Sequence, residues 1–236
     1  NAMNSKSQTL ITGVYRTGTE YLTHLINSNS EISATMYRVN VLRFMYNKYD
    51  PIQNEKNYTK ALIELKLRLS ERYELDINIK SIIEYIKLNK IKLTYGILYD
   101  LIMSKLYLDT NKQHWAEKNQ LLWREIPEFL KIMPNGKAIL VIRDPRSVLA
   151  SFKKYTYAEK PLYLQAIFNC YDSMHYALKY NKEIKKKKFR IIKYEDLAKS
   201  PSSEVNKIFK FLGITNLRKI NKNNFIDSYG DKWHAN

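Results

Sequence analysis

The chain carries a single cysteine, Cys170, among 236 residues. One thiol cannot close an internal disulfide, and this one lies in a helical apolar pattern, so it reads as a buried structural thiol in a reducing compartment. Histidine is almost as scarce. His24, His114, His175 and His234 are scattered, no metal-ligand spacing links them, and no metal site is expected. Long apolar runs are missing too. The longest clear one, Ala138 to Ile142, is strand length, far below the ~18 residues of a membrane-spanning helix. Neither a transmembrane anchor nor a signal peptide is expected, and the expected location is the cytoplasm. There is no internal repeat and no low-complexity tract. Acidic residues are in deficit: 23 Asp and Glu stand against 40 Lys and Arg, a formal charge of +17. That favours anionic partners, whether an anionic cofactor, a glycan, a lipid headgroup or a nucleic acid, without choosing among them. The run Lys185-Lys186-Lys187-Lys188 sits where a helix should end. Cations stabilise a helix C-terminus, so the run reads as a solvated helix end before it reads as a nucleic-acid patch.

What is present is organised around Gln8 to Asn27, QTLITGVYRTGTEYLTHLIN. Thr9 to Val14 reads as a buried strand. The chain then turns through Gly13 to Thr19 and continues as a helix with Tyr21, Leu22, Leu25 and Ile26 on one face. A strand, a turn with two glycines five apart, and a helix form a phosphate cradle. The turn N–H groups and the helix N-terminus point at an anion, and the helix dipole favours negative charge there. Thr17 and Thr19 add hydroxyls and Arg16 a fixed charge. The spacing approaches G-x-x-x-x-G-K-[ST], but Thr19 replaces the lysine and Glu20 the magnesium-binding hydroxyl. The loop is therefore expected to hold a phosphate-like group without Mg²⁺ and not to split ATP.

Further along, 27–33 is turn chemistry, and 34–46 is placed as a loop or short helix near the mouth of the first loop. From Thr59 to about Asp109 the apolar periodicity predicts consecutive helices, read as a helical insertion over about 52–112. His114 to Asn119 reads as a short strand ending at Lys118. Ile126 to Met133 is a short helix. Lys137 to Ile142 is a buried strand of parallel-sheet type. Asp144 is a good N-cap and Pro145 a good first helical residue, which leaves Arg143 at a strand's C-terminal end, where open α/β sheets bind ligands. Pro161 to about Lys188 predicts a long helix with Ile167, Cys170, Tyr171, Met174, Ala177 and Leu178 on its core face. Phe189 to Lys193 is a third such strand, ended by Tyr194-Glu195-Asp196-Leu197. A helix follows from Ser200-Pro201 to Gly213. The tail, 221–236, is polar with aromatics and has no period, and the natural chain is expected to continue beyond Asn236. With Asn1-Ala2-Met3 set aside as a tag remnant, 4–236 is expected to be one α/β domain. Its form would be a P-loop-like three-layer sandwich with a central parallel sheet and a helical insertion.

Three strand ends thus carry polar groups, and Arg143 with Ser151 can form a second anion site separate from the first loop. These residues resemble the sulfotransferase family that uses 3′-phosphoadenosine 5′-phosphosulfate (PAPS). Tyr15-Arg16-Thr17-Gly18-Thr19 with Tyr21-Leu22 is similar to that family's 5′-phosphosulfate loop. IRDPRSVLASF, Ile142 to Phe152, is similar to its 3′-phosphate motif, and KYEDLAKSPSSEVNKIFKFLG, Lys193 to Gly213, to its YEDL block. His114 to Asn119 resembles, more loosely, a tryptophan-acid-lysine segment of bacterial and carbohydrate-acting members. The resemblance implies that Arg16, Thr17, Gly18, Thr19 and Glu20 line the 5′-phosphosulfate site and that Arg143 and Ser151 hold the 3′-phosphate. It implies further that Tyr194 approaches the adenine and that Lys118 stands near the bridging oxygen. PAP would be the product and a saccharide the acceptor. The chain departs from the family where Arg16 replaces the usual lysine and Glu20 the usual hydroxyl residue.

Sulfuryl transfer should follow the logic of phosphoryl transfer, by in-line displacement through a loose transition state, with charge stabilised by fixed donors. Arg16 and Lys118 suit that task. An acceptor hydroxyl also needs a base within reach, and the candidates are Glu20, His114 and Glu117. Two other readings stay open: a P-loop-type kinase or nucleotide-binding protein, and a basic nucleic-acid-binding module. No nucleic-acid motif accompanies the charge. A nucleotide-binding member without turnover is a further alternative.

Overall fold

The computed structural model describes residues 5–155 and 163–215. The sequence-level readings of 221–236 and of the helix start at Pro161 lie outside these residues. Five strands, β1 (Ser7–Gly13), β2 (Ile32–Met36), β3 (His114–Lys118), β4 (Gly136–Ile142) and β5 (Phe189–Lys193), form one sheet in the order β2-β3-β1-β4-β5. Every pairing is parallel. All five strands therefore point their C-terminal ends to one edge, and the loops that leave that edge are brought together.

The helices are α1 (Thr19–Asn27), α2 (Val41–Phe44), α3 (Glu55–Tyr73), α4 (Ile79–Leu88), α5 (Tyr95–Tyr107) and α6 (Ile126–Ile132), then α7 (Pro145–Tyr155), α8 (Tyr163–Glu183), α9 (Tyr194–Lys199) and α10 (Pro201–Leu212). They cover both faces of the sheet. The alternation of strand side chains decides which residue goes to which side. Leu10, Trp115, Ala138 and Leu140 join α3, α4, α5 and α6 in one apolar cluster. Their neighbours Ile11, Ala116, Ile139 and Val141 join α1, α9 and α10 in the other. This is the expected three-layer α/β architecture.

Helix boundaries follow local chemistry. Asn54, Asn78 and Thr94 each accept a backbone N–H at the start of α3, α4 and α5, and Gly213, at φ 82°, closes α10. Two placements differ from the sequence reading. The first is β2, which falls across segments read as a turn and a loop. It pairs with β3 alone and is steadied by the Asn27 side chain accepting the Ala34 N–H at 3.0 Å, so its extended form comes from partners and not from local propensity. The second is α8. Cys170 and Ala177 are buried as expected, but Ile167, Tyr171 and Leu178 are exposed; the inward face is completed by Ala166, Ser173 and Tyr180.

Candidate functional site

The loop after β1 is closed in part by its own atoms. Thr17 donates its hydroxyl to the Val14 carbonyl at 2.7 Å. Arg16 and Gly18 both take left-handed φ values, 64° and 88°. At Gly18 glycine is needed twice over, because a Cβ there would come within 2.2 Å of the Tyr194 ring. Gly18 offers α1 no side-chain cap. The dipole of a helix N-terminus favours an anion there. Thr19 opens the helix, buried, and accepts the Thr23 hydroxyl on its carbonyl.

Two arginines tie this loop to the end of β4. Arg143 donates from Nη1 to the Arg16 carbonyl at 3.0 Å, and Arg16 donates from Nε to Ser151 Oγ at 3.0 Å. The loop and the Arg143–Ser151 pair, read from the sequence as separate sites, are thus one continuous basic surface joined through Arg16. Arg143 also lies over the Tyr194 ring, 4.1 Å from its centroid, while that ring backs onto Gly18. Tyr194 is 7% exposed and works as a wedge that spaces Gly18 from Arg143. The buried Arg143 Nε has no hydrogen-bond partner among the described residues. A donor left unpaired at such a place is suited to an incoming oxygen anion. Asp144 caps α7 as expected, its carboxylate accepting the Arg146 N–H at 2.8 Å, and Glu195 accepts the Asp144 N–H at 2.9 Å.

Lys118, at the end of β3, is fully buried. Its Nζ donates to the Tyr37 hydroxyl, sits 4.1 Å above the Tyr37 ring centroid, and is 3.6 Å from a Glu20 carboxylate oxygen. Burial pulls its pKa down to about 8; Glu20 acts against the fall and Arg16 with it. The Tyr37 hydroxyl is pushed up, first by burial and then by Glu20. Glu20 therefore has a task that its place beside an anion loop did not reveal: it faces a buried ammonium.

Tyr37 begins a second bend, 37–40, with left-handed φ at Tyr37 (58°) and Asn40 (42°). This bend is held by side chains from elsewhere. Glu117 accepts the Val39 and Asn40 N–H groups at 2.6 and 2.9 Å, and also the Asn119 amide at 3.2 Å and the Tyr99 hydroxyl. Arg68 donates to the Arg38 and Val39 carbonyls, each at 2.7 Å. Glu117 is 0% exposed and both its oxygens are engaged, so the structure gives it a clamp's position and not that of a base open to an acceptor.

His114 is also moved away from the chemistry. It starts the strand that Lys118 ends, about 13 Å distant at strand rise, and bonds Ser7 Oγ at 2.7 Å at the opposite edge of the sheet. Burial lowers its pKa. Glu20 alone of the three candidate bases stands at the site. Tyr37, Arg68, Tyr99 and Asn119 were not anticipated. Tyr37 lies in an aperiodic segment, one of 19 tyrosines, and carried no signal of its own. Among the described residues no three His, Cys, Asp or Glu side chains gather as a metal site would need.

A family model described as "Sulfotransferase family" matches residues 9–218. The chain belongs to the sulfotransferase family. Solved structures with the same fold include the sulfotransferase domain of the Synechococcus PCC 7002 olefin synthase. That match has TM-score 0.59 and 17% identity, and covers 92% of this chain and 76% of that one. The sulfotransferase domain of the curacin biosynthetic pathway matches with TM-score 0.56 and 19% identity over 88% and 74% of the two chains. Mycobacterium tuberculosis sulfotransferase STF1 gives 0.54 and 12% over 90% and 69%. No curated protein matches the sequence significantly. Family membership supports sulfuryl transfer as the general chemistry, and both anion-binding motifs named above lie inside the matched span.

Proposed function

We propose that this sulfotransferase moves a sulfuryl group from PAPS to a hydroxyl or amine of an acceptor, with PAP as product and a saccharide as the acceptor class. The observation that carries the reading is the fully buried ammonium of Lys118, set beside a phosphate-type loop at the same sheet edge as Arg143. The residues fit the cofactor. The loop from Arg16 to Thr19 and the open N-terminus of α1 would hold the 5′-phosphosulfate. Arg143, through its unpaired Nε, and Ser151 would hold the 3′-phosphate. Bound PAPS supplies the sulfuryl group and an anionic leaving group.

The chain's own side chains do the rest. Lys118 holds a proton on Nζ and presents positive charge where negative charge grows. Tyr37 fixes that Nζ by its hydroxyl and by its ring face. Glu20 is the base, taking the acceptor's proton on a carboxylate oxygen. Arg16 bridges the two ends of the cofactor surface through Ser151. No residue in this set needs a metal to act. The lone buried Cys170 accords with a cytoplasmic setting, and the +17 charge suits a nucleotide cofactor and other anions.

The test is thermal stabilisation by PAP, by adenosine 5′-phosphosulfate and by Mg-ATP, on wild type and Arg143→Ala. A ligand at 100 times its dissociation constant stabilises by about 2.7 kcal/mol. PAP is expected to give the largest shift in EDTA, and Arg143→Ala to lose most of it. Stabilisation by Mg-ATP alone would replace the proposal with a kinase-type reading.

A further inference from the structure

Helix α8 has two apolar faces. One is buried against the sheet through Ala166, Cys170, Ala177 and Tyr180. The other faces out. Leu164 is 70% exposed, Phe168 67%, Tyr171 72% and Leu178 66%, with Ile167 beside them at 43%. The spacing 164, 168, 171, 178 follows helical steps of four, seven and fourteen, so these side chains share one row about 21 Å long, in which exposed His175 also lies. Most of the exposed large apolar residues of the described chain lie on this one helix. A helix apolar on both sides is ordinarily covered on both sides, and an exposed apolar row of this kind marks an interaction surface.

The charge around the row says what covers it. Lys182 lies 18 residues after Leu164, five helical turns, and so on the same line as the row. Lys179 flanks it, and exposed Lys185, Lys186 and Lys187 follow the helix end. The acidic Asp172 beside the row is already engaged by Arg124 at 2.7 and 2.9 Å and by the Trp123 indole at 2.6 Å. The groove between Leu121–Arg124 and Phe168–Asp172, about 370 Å³, is of mixed polarity, and its one acid is the engaged Asp172. A net charge of +17 opposes docking of a second copy of the chain on this face.

We propose that the outward face of α8 docks on an anionic lipid surface. The apolar row enters the headgroup boundary with the helix lying flat, and Lys179, Lys182 and the lysines after the helix engage the lipid phosphates. Docking of this kind is peripheral, in keeping with the finding that no described helix is long and apolar enough to cross a membrane. Chain direction places the N-terminal half of the row at the sheet edge that carries Lys118, because α8 runs back toward the start of β5. The row therefore begins at the sheet edge that carries the candidate site. The proposal goes beyond sulfuryl transfer and does not depend on it.

The experiment is co-sedimentation of the full chain with vesicles of phosphatidylcholine alone and of phosphatidylcholine with phosphatidylglycerol. Wild type is compared with Phe168→Glu/Leu178→Glu and with Lys179→Gln/Lys182→Gln. All four positions are exposed, and an unchanged Tm shows that each variant is folded. Wild type should partition at least tenfold better onto the anionic vesicles, with binding weakened by salt. The glutamate pair should abolish binding, and the glutamine pair should weaken it and flatten its salt dependence. No partitioning onto anionic vesicles, or equal partitioning by the glutamate pair, overturns the proposal. So does self-association in sedimentation velocity that the glutamate pair abolishes, since a second copy would then be the occupant.

Discussion

Two bends flank Lys118, and they are built in opposite ways. The loop 14–18 closes on itself: Thr17 bonds Val14, and Gly18 supplies the left-handed turn. The bend 37–40 has the same left-handed character at Tyr37 and Asn40, but it is held by Glu117 and Arg68, residues distant in the chain. The first bend carries a local code, with Arg143 as a distant brace on the Arg16 carbonyl; the second takes its form from tertiary partners. The pair teaches that a site can look half complete in sequence because half of its frame has no local code.

Removing the tertiary clamp should have the largest effect. Glu117→Ala leaves two buried backbone N–H groups, the Tyr99 hydroxyl and the Asn119 amide without their acceptor, and should cost about 4 kcal/mol of stability in urea unfolding. Thr17→Val removes one hydroxyl bond from the self-closed loop and should cost about 1 kcal/mol. Equal costs would erase the distinction between the bends.

Lys118→Met should lower sulfuryl transfer about 10²- to 10³-fold while PAP still binds, as a comparison of kcat with PAP affinity would show. A variant that loses PAP affinity as much as it loses kcat would make Lys118 a binding residue only.

The pH dependence sharpens the comparison further. The folded pKa of Lys118 is about 8 against an ordinary 10.5. Between these values the unfolded chain holds a proton that the folded chain has released, so stability rises with pH across that window. Wild type should gain stability relative to Lys118→Met from about pH 8 to pH 10, read from urea midpoints. On the proposed role of Lys118, transfer should fall over the same range. A flat difference between the two proteins would contradict the burial argument.

Tyr37→Phe keeps the ring over Nζ and removes the hydroxyl. Its effect should be the smallest, about 1 kcal/mol or less in stability. The alkaline fall in kcat/KM should move to lower pH, because a bond that favours the ammonium is gone. An unmoved profile would leave Tyr37 a packing residue.

How much of this was legible in the sequence follows the same division. The strand–loop–helix around Gly13 and Gly18, the Asp144-Pro145 helix start after Arg143, and the strand ending at Lys118 are all encoded within a few residues. The parallel sheet followed from its buried runs. β2 was not legible, because Ile32–Met36 lacks a strong strand signature and takes its form from β3. His114 and Glu117 attracted attention by residue type, yet a strand of five residues carries its two ends to opposite edges of the sheet. Side chains that alternate along it face different surroundings, and neither fact is visible without the register. On α8 the period gave a helix, but with apolar residues on both sides it could not say which face was inward.

The central claim is that one basic surface, from the first loop through Arg143, binds a nucleotide carrying a 3′-phosphate and that Lys118 acts beside it. The measurement that tests it most directly is calorimetric titration of PAP and of adenosine 5′-phosphate into wild type, Arg143→Ala and Lys118→Met. The account predicts one site per chain, at least tenfold preference for PAP in wild type, loss of that preference in Arg143→Ala, and its retention in Lys118→Met. Equal affinity for the two nucleotides in wild type, or an undiminished preference in Arg143→Ala, would contradict it.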